Sequence, residues 1–255
     1  MLRKISVVAV VAVLVFLVGS PLARAEGTTC ANPTVIVPDG RITTSSIAAG
    51  GIFFFRITSR VGSSYSAEFH NVLGAAVQTP GTLSVFSDPG TCAAAVTTTN
   101  AAGTDPGDLN GNRVTFTATT TGTVFSLNNT SGGTLTYSFT VSDTTMFSPG
   151  WSTNGTYDSF YSFLNTTGAT LTGTLTLYNT LGTQVGMTNF TINSNSTAST
   201  NTSALATVRN TTGTAKFTHN GPPGAILAEA AIANFTLSTP YFQGVKFQPA
   251  RESTH

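Results

Sequence analysis

Apolar and hydroxyl residues alternate without a break in Leu135-Thr136-Tyr137-Ser138-Phe139-Thr140-Val141. A period of two sets one face of an extended strand against a core and leaves the other to water. Val114-Thr115-Phe116-Thr117-Ala118 and the stretch from Leu171 to Tyr178 repeat the pattern, and Ile226 to Ile232 does so more weakly. Between the runs lie residues that accept a positive φ or pre-set a bend: Asp39-Gly40, Asn110-Gly111, Thr121-Gly122, Gly132-Gly133, Asn154-Gly155, Gly213 and Asn220-Gly221-Pro222-Pro223-Gly224. Past residue 25, no apolar 3.6-residue periodicity persists for three turns. The pattern predicts an all-β fold, with two tandem β-sandwich domains of jelly-roll or immunoglobulin-like type.

The expected boundary is Asp143-Thr144-Thr145-Met146, which gives sandwiches over 26–143 and 147–247. Asn193 to Ser203 is polar and low in complexity and reads as a long exposed loop. Residues 248–255 lack an apolar pattern and read as a flexible tail.

Residues 1–25 read as a cleaved signal peptide. Arg3 and Lys4 precede an apolar run from Val7 to Val18, and Pro21-Leu22-Ala23-Arg24-Ala25 closes it with small residues at the cleavage spacing. The run is shorter than the roughly 20 residues of a membrane span. Gly27-Thr28-Thr29 before Cys30 does not form a lipobox. The expected mature chain is secreted or held at a cell surface by non-covalent contacts, with no membrane span.

Removing Arg3, Lys4 and Arg24 from the 11 basic residues leaves 8 against 10 acidic ones. No basic stripe remains to neutralise phosphates, which argues against nucleic acid. Charged residues make up 8% of the chain, against about 25% in ordinary soluble domains. Thr, Ser, Asn and Gly take their place, as suits an extracellular setting. Low charge also leaves sheet edges less protected. Cys30 and Cys92 are the only cysteines and are expected to pair in an exported chain. Their neighbours Thr29, Ala31, Thr91 and Ala93 supply no metal-binding or catalytic chemistry.

Four segments in the first half carry a likeness: Ala49 to Ile57, Leu83 to Ser87, Val114 to Phe125 and Gly133 to Val141. In strand order and turn placement, residues 35–142 resemble the bacterial pre-peptidase C-terminal domain. The resemblance implies a jelly-roll-like sandwich that accompanies secreted enzymes, although these 255 residues show no enzyme domain for it to assist. Tyr157 to Asn165, Leu175 to Tyr178 and His219 to Ile226 are similar to a secreted bacterial sandwich domain, a likeness that implies architecture and no activity.

Catalytic chemistry is sparse. There is no Gly-x-Ser-x-Gly elbow or His-Glu-x-x-His helix, and the histidines are His70, His219 and His255. Glu68 and His70 lie two apart on one strand face and read as a solvated pair unless Asp158 joins them in space. The expectation is therefore a protein that is not an enzyme. Asp105, Asp108, Asn110 and Asn112 around Gly107 and Gly111 supply oxygens suited to calcium, the one cofactor considered. The plainer reading of the same residues is an Asx-rich hairpin turn, Asn-Gly being a strong hairpin signal.

Trp151, Tyr157 and Tyr161 cluster at the start of the second half, as a face for sugar rings or as core filling. His219 either caps the rigid turn after it or faces a partner. Nine Asn-x-Ser/Thr sequons occur, at Asn128, Asn129, Asn154, Asn165, Asn189, Asn195, Asn201, Asn210 and Asn234. Together these features predict a binding or adhesion protein that contacts polysaccharide, matrix or a surface protein. The alternative is a structural subunit of an extracellular layer or fibre, assembling edge to edge or through the segment Glu26 to Val37.

Overall fold

The computed structural model describes residues 26–71, 81–87, 90–93, 95–99, 111–205 and 208–250. The expected leader, residues 251–255 and the candidate calcium ligands Asp105, Asp108 and Asn110 lie outside them.

Nine strands build the first sandwich: β1 (Thr34–Val35), β2 (Thr43–Ile47), β3 (Ile52–Ile57), β4 (Ser64–Asn71), β5 (Thr82–Phe86), β6 (Ala95–Thr99), β7 (Gly111–Thr117), β8 (Thr123–Asn128) and β9 (Leu135–Asp143). They form sheets of order β1-β3-β8-β5-β6 and β2-β9-β4-β7. The alternation is realised along β9, where every second residue from Leu135 to Asp143 is buried. Its inward Tyr137 and Phe139 meet Phe55, Phe69 and Phe125 of the strands around them, with Phe55 and Phe139 4.9 Å apart between ring centroids. A disulfide joins Cys30 to Cys92, as expected.

The second sandwich contains β10 (Met146–Ser152), β11 (Asp158–Asn165), β12 (Leu171–Asn179), β13 (Gln184–Ile192), β14 (Thr197–Asn201), β15 (Thr212–His219), β16 (Ile226–Asn234), β17 (Tyr241–Lys246) and β18 (Gln248–Pro249). The sheets run β13-β12-β15-β10-β18 and β14-β11-β16-β17. Its own core centres on Phe163 stacked on Phe217 at 3.9 Å, with Phe190, Phe247 and Trp151 around them.

Two expectations are corrected. The polar stretch 193–203 is not all loop, because Thr197–Asn201 pairs with β11 over five residues. Gln248 and Pro249 are not tail, because they pair with Phe147 and Met146, and the Ala250 amide donates to the Thr145 carbonyl. In both places the neighbouring strand supplies the pairing and the segment itself carries no apolar signal.

The same device closes a connection from one sheet to the other in each sandwich. Asn129-Thr130-Ser131-Gly132-Gly133 follows β8, and Asn165-Thr166-Thr167-Gly168-Ala169 ends β11. Both asparagines are fully buried. Asn129 Nδ2 donates to the carbonyls of Ile47, Ala48 and Gly133 at 2.8–3.0 Å, and Asn165 Nδ2 to those of Ala169, Ile192 and Asn193 at 2.7–3.1 Å. Each Oδ1 accepts the backbone amide and hydroxyl of the residue two further on, Ser131 or Thr167. Each plug thereby ties three carbonyls to one buried amide, in addition to the bonds that Ala48 and Asn193 accept from the Gly51 and Ser196 amides.

The join between the sandwiches is also buried. Thr145 Oγ1 accepts from the Ser64 amide at 2.9 Å, and Thr144 Oγ1 donates to Ser64 Oγ at 3.0 Å. Lys216 Nζ donates to the Gly62 carbonyl at 3.0 Å, bridging the two halves a second time.

His219 sits against this join, 6% exposed. Its Nδ1 accepts from the Gly221 amide, and its own amide meets Ser64 Oγ. Burial pushes its pKa down to about 4, against a smaller upward pull from the Thr144 backbone. Above pH 6.5 the ring is neutral folded or unfolded. Below that the unfolded chain takes up a proton that the folded chain refuses, so stability falls between pH 6.5 and 4, by roughly 3 kcal/mol. Nearby Asp143 works in the opposite sense, because burial raises its pKa and the folded state gains as it protonates. His219→Gln is therefore expected to flatten the loss of urea stability across this window. An unchanged pH slope in the variant would contradict the assignment.

Candidate functional site

β16 turns Ile226, Ala228 and Ala230 toward the core, leaving Leu227, Glu229, Ala231 and Ala233 on the outer face of its sheet. Antiparallel register sets Phe160 opposite Ala231 and Ser162 opposite Glu229 on one side. On the other side Gly244 stands opposite Ala231, Lys246 opposite Glu229, and Phe242 opposite Ala233. Directly opposed residues share a face. Phe160 and Phe242 therefore stand two strands apart and two residues out of step along them, about 12 Å, beside a floor of Ala231 and Gly244.

The slot encloses about 460 Å³ and is rimmed by Ser162, Ser199, Thr200, Glu229 and Lys246. Phe242 is 69% exposed, and Phe160 is steadied edge-on by Phe235 at 5.9 Å. Tyr157 and Tyr241 pair edge to face at 5.6 Å at the same end of the sheet.

A second concavity of about 550 Å³ lies between the sandwiches. The outward Thr115 and Thr117 of β7 face Thr172 and Thr174 of β12, Asn189 and Thr191 of β13, and Thr218 and Asn220. Much of this polarity is already satisfied. Thr174 Oγ1 donates to Asn189 Oδ1, and Asn220 Oδ1 accepts from the Thr172 amide. The buried ring of His219 is the one titratable group in its lining among the described residues.

The structure disperses the candidates chosen from sequence. Trp151 is no sugar platform: it is 1% exposed, and its Nε1 donates to the carbonyls of Tyr178 and Thr214. Tyr161 is equally buried, edge-on to Phe247. Tyr157 alone of the three is partly exposed, beside the slot. His219 is enclosed at the join and presents no surface to a partner.

Asn112, the described member of the calcium candidates, is fully buried and donates to the Gly81 carbonyl at 2.7 Å. Among the described residues no three His, Cys, Asp or Glu side chains gather as a metal site.

Glu68 and His70 do meet, at 3.4 Å, with Arg113 opposite Glu68 in register. The bond to His70 holds the Glu68 carboxyl below its usual range, and burial opposes this. Asp158 belongs to the other sandwich, where it binds Arg209 at 2.5 Å and accepts from Thr202.

Sequence reasoning missed Phe160, Ala231, Phe242 and Gly244. The signal lay in small residues on alternate outward positions of β16 and β17. The flanking aromatics are some eighty residues apart in sequence, and only the strand order brings them together.

No family model matches the chain, and no curated protein matches it. Among solved structures, the pre-peptidase C-terminal domain of a Bacillus anthracis collagenase aligns with 46% of this chain and 97% of its own, at 16% identity and a TM-score of 0.34. The extracellular region of zebrafish Gpr126/Adgrg6 aligns with 89% of the chain at 13% identity and a TM-score of 0.27. A Bacteroides uniformis β-glucuronidase aligns with 90% at 12% identity and 0.22. The chain spans 34% and 28% of those last two structures. The architecture rests on the sheets and cores above, independently of these likenesses.

Proposed function

We propose that the protein is a secreted binding module that holds a polysaccharide chain in the slot of the second sandwich. One observation carries this reading: the exposed Phe242 and the partly exposed Phe160 flank a floor of Ala and Gly, with hydroxyls and one charge of each sign at the rim. A sugar ring has apolar C–H faces and a polar equator, and this arrangement matches both. Phe160 and Phe242 would cover the faces, while Ser162, Ser199 and Glu229 would take the hydroxyls. The intramolecular disulfide supports an oxidising compartment.

A glycan array probed with residues 26–255 tests the proposal, followed by titration of the best binder. Phe160→Ala and Phe242→Ala are each expected to weaken binding about fivefold, in line with roughly 1 kcal/mol for a lost aromatic contact. Trp151 should not be the control, because its truncation opens the core. Retention of no glycan, or binding by both variants as tight as that of the unsubstituted protein, would refute the proposal.

A further inference from the structure

The second sandwich ends in four strand edges, and they differ in how they resist pairing. β18 carries Pro249, β13 is bulged against β12, and β14 offers no large apolar side chain. β17 has no proline, its pairing with β16 has no register shift, and its one charge is Lys246. Such an edge is a template for another strand.

The sequence of β17 also says which strand fits. Consider a two-fold axis normal to the sheet through Gly244, which keeps the outer faces of both copies on the same side. Gly244 then stands opposite Gly244 of the second copy, Phe242 opposite Lys246, and Gln243 opposite Val245. Every outward pair is small on small or cation on ring. No like charges meet, and almost the whole strand is paired. Sliding the axis to Gln243 instead sets Lys246 against Pro240, which has no amide to give.

We infer that two copies of this chain join through antiparallel β17–β17 pairing centred on Gly244, which merges their slots into one trough. The joined floor runs Ala231-Gly244 of one copy into Gly244-Ala231 of the other, with Phe160 at each end. It spans five strand spacings, about 24 Å. A monomer grips a ring or two, whereas the pair presents a track for an extended chain. The trough rests on the polysaccharide reading. The pairing does not.

Gly244→Cys provides the test. A Cβ built at Gly244 meets nothing within 4 Å, so the variant folds without displacement. Across an antiparallel pair, residues on the axis have Cα atoms about 4.5–5.5 Å apart, within disulfide reach. Mild oxidation of residues 26–255 carrying Gly244→Cys is expected to yield a species of doubled mass on non-reducing gels. Leu181→Cys, 87% exposed on the β12–β13 turn, should not. Adding Phe242→Lys, which opposes two lysines, should abolish the cross-link, and a further Lys246→Glu should restore it.

A Gly244→Cys chain that stays monomeric, or cross-links no better than Leu181→Cys, overturns the inference. So does cross-linking that survives Phe242→Lys. Phe160→Ala separates the two readings: it lies two strands from the edge and should leave cross-linking intact while weakening glycan binding. If cross-linking persists and no glycan is bound by any form, the sugar reading fails and the pairing stands.

Discussion

Asn165→Ala is expected to lower the stability of the second sandwich by about 4 kcal/mol or more, enough to leave it largely unfolded at 37 °C. The side chain is fully buried and makes five hydrogen bonds, three from its amide and two to its oxygen. Alanine would take this partner from the Thr167 amide and the Ile192 carbonyl, and would leave the Ala169 and Asn193 carbonyls only their bonds from Thr167 Oγ1 and the Ser196 amide. Each unsatisfied buried group costs about 1–3 kcal/mol, and the whole stability of a small domain is about 5–15 kcal/mol.

Trp151, the sole tryptophan, lies in this sandwich and makes the measurement specific. Its fluorescence transition in urea should shift down by about 2 M in Asn165→Ala, for a typical slope of 1–3 kcal/mol/M. Asn129→Ala makes the same wound in the other sandwich and should move the Trp151 transition far less. A wild-type midpoint in Asn165→Ala would mean that the plug is ornamental.

Reduction of Cys30–Cys92 should lower the stability of the first sandwich by about 4 kcal/mol. The bridge spans 62 residues, and closing a loop of that size restrains the unfolded chain by about this much in the chain-entropy model. What the bridge anchors is otherwise lightly held. β1 pairs with β3 through two residues, and upstream of it the Gly27 carbonyl receives the Phe54 amide. Calorimetry with and without reductant should show the first sandwich melting earlier, with the Trp151 transition in place. A first-sandwich transition that ignores reductant would contradict the estimate.

How much of this was legible depended on whether a residue's signal is local. Leu135–Val141, Leu171–Tyr178 and Ile226–Ile232 fall within strands, and Val114–Ala118 does so up to Thr117, because alternation is a property of the segment itself. Trp151 stayed undecided between a sugar face and core filling for a different reason. In β10 the register shifts between Ser148 and Trp151, so both side chains turn inward although three residues apart. A bulge of this kind breaks the period-two rule, and no local alternation marks which way the ring points. β14 was missed because Thr197–Asn201 has no apolar face, its pairing being set by β11. The slot needed the strand order β11-β16-β17, which no short window contains. The asparagine plugs were in plain sight as Asn-x-Ser/Thr, but those letters read alike in a surface turn and in a core.

That double meaning bears on where the chain can be made. Asn129, Asn165 and Asn234 all sit in sequons, yet all three are buried with their amide nitrogens engaged. A host that decorates Asn-x-Ser/Thr on the nascent polypeptide would attach a bulky glycan to the nitrogen each pocket must receive. Sandwiches so tagged could not close. The fold is thus tied to a host that leaves these asparagines bare until the strands have zipped around them.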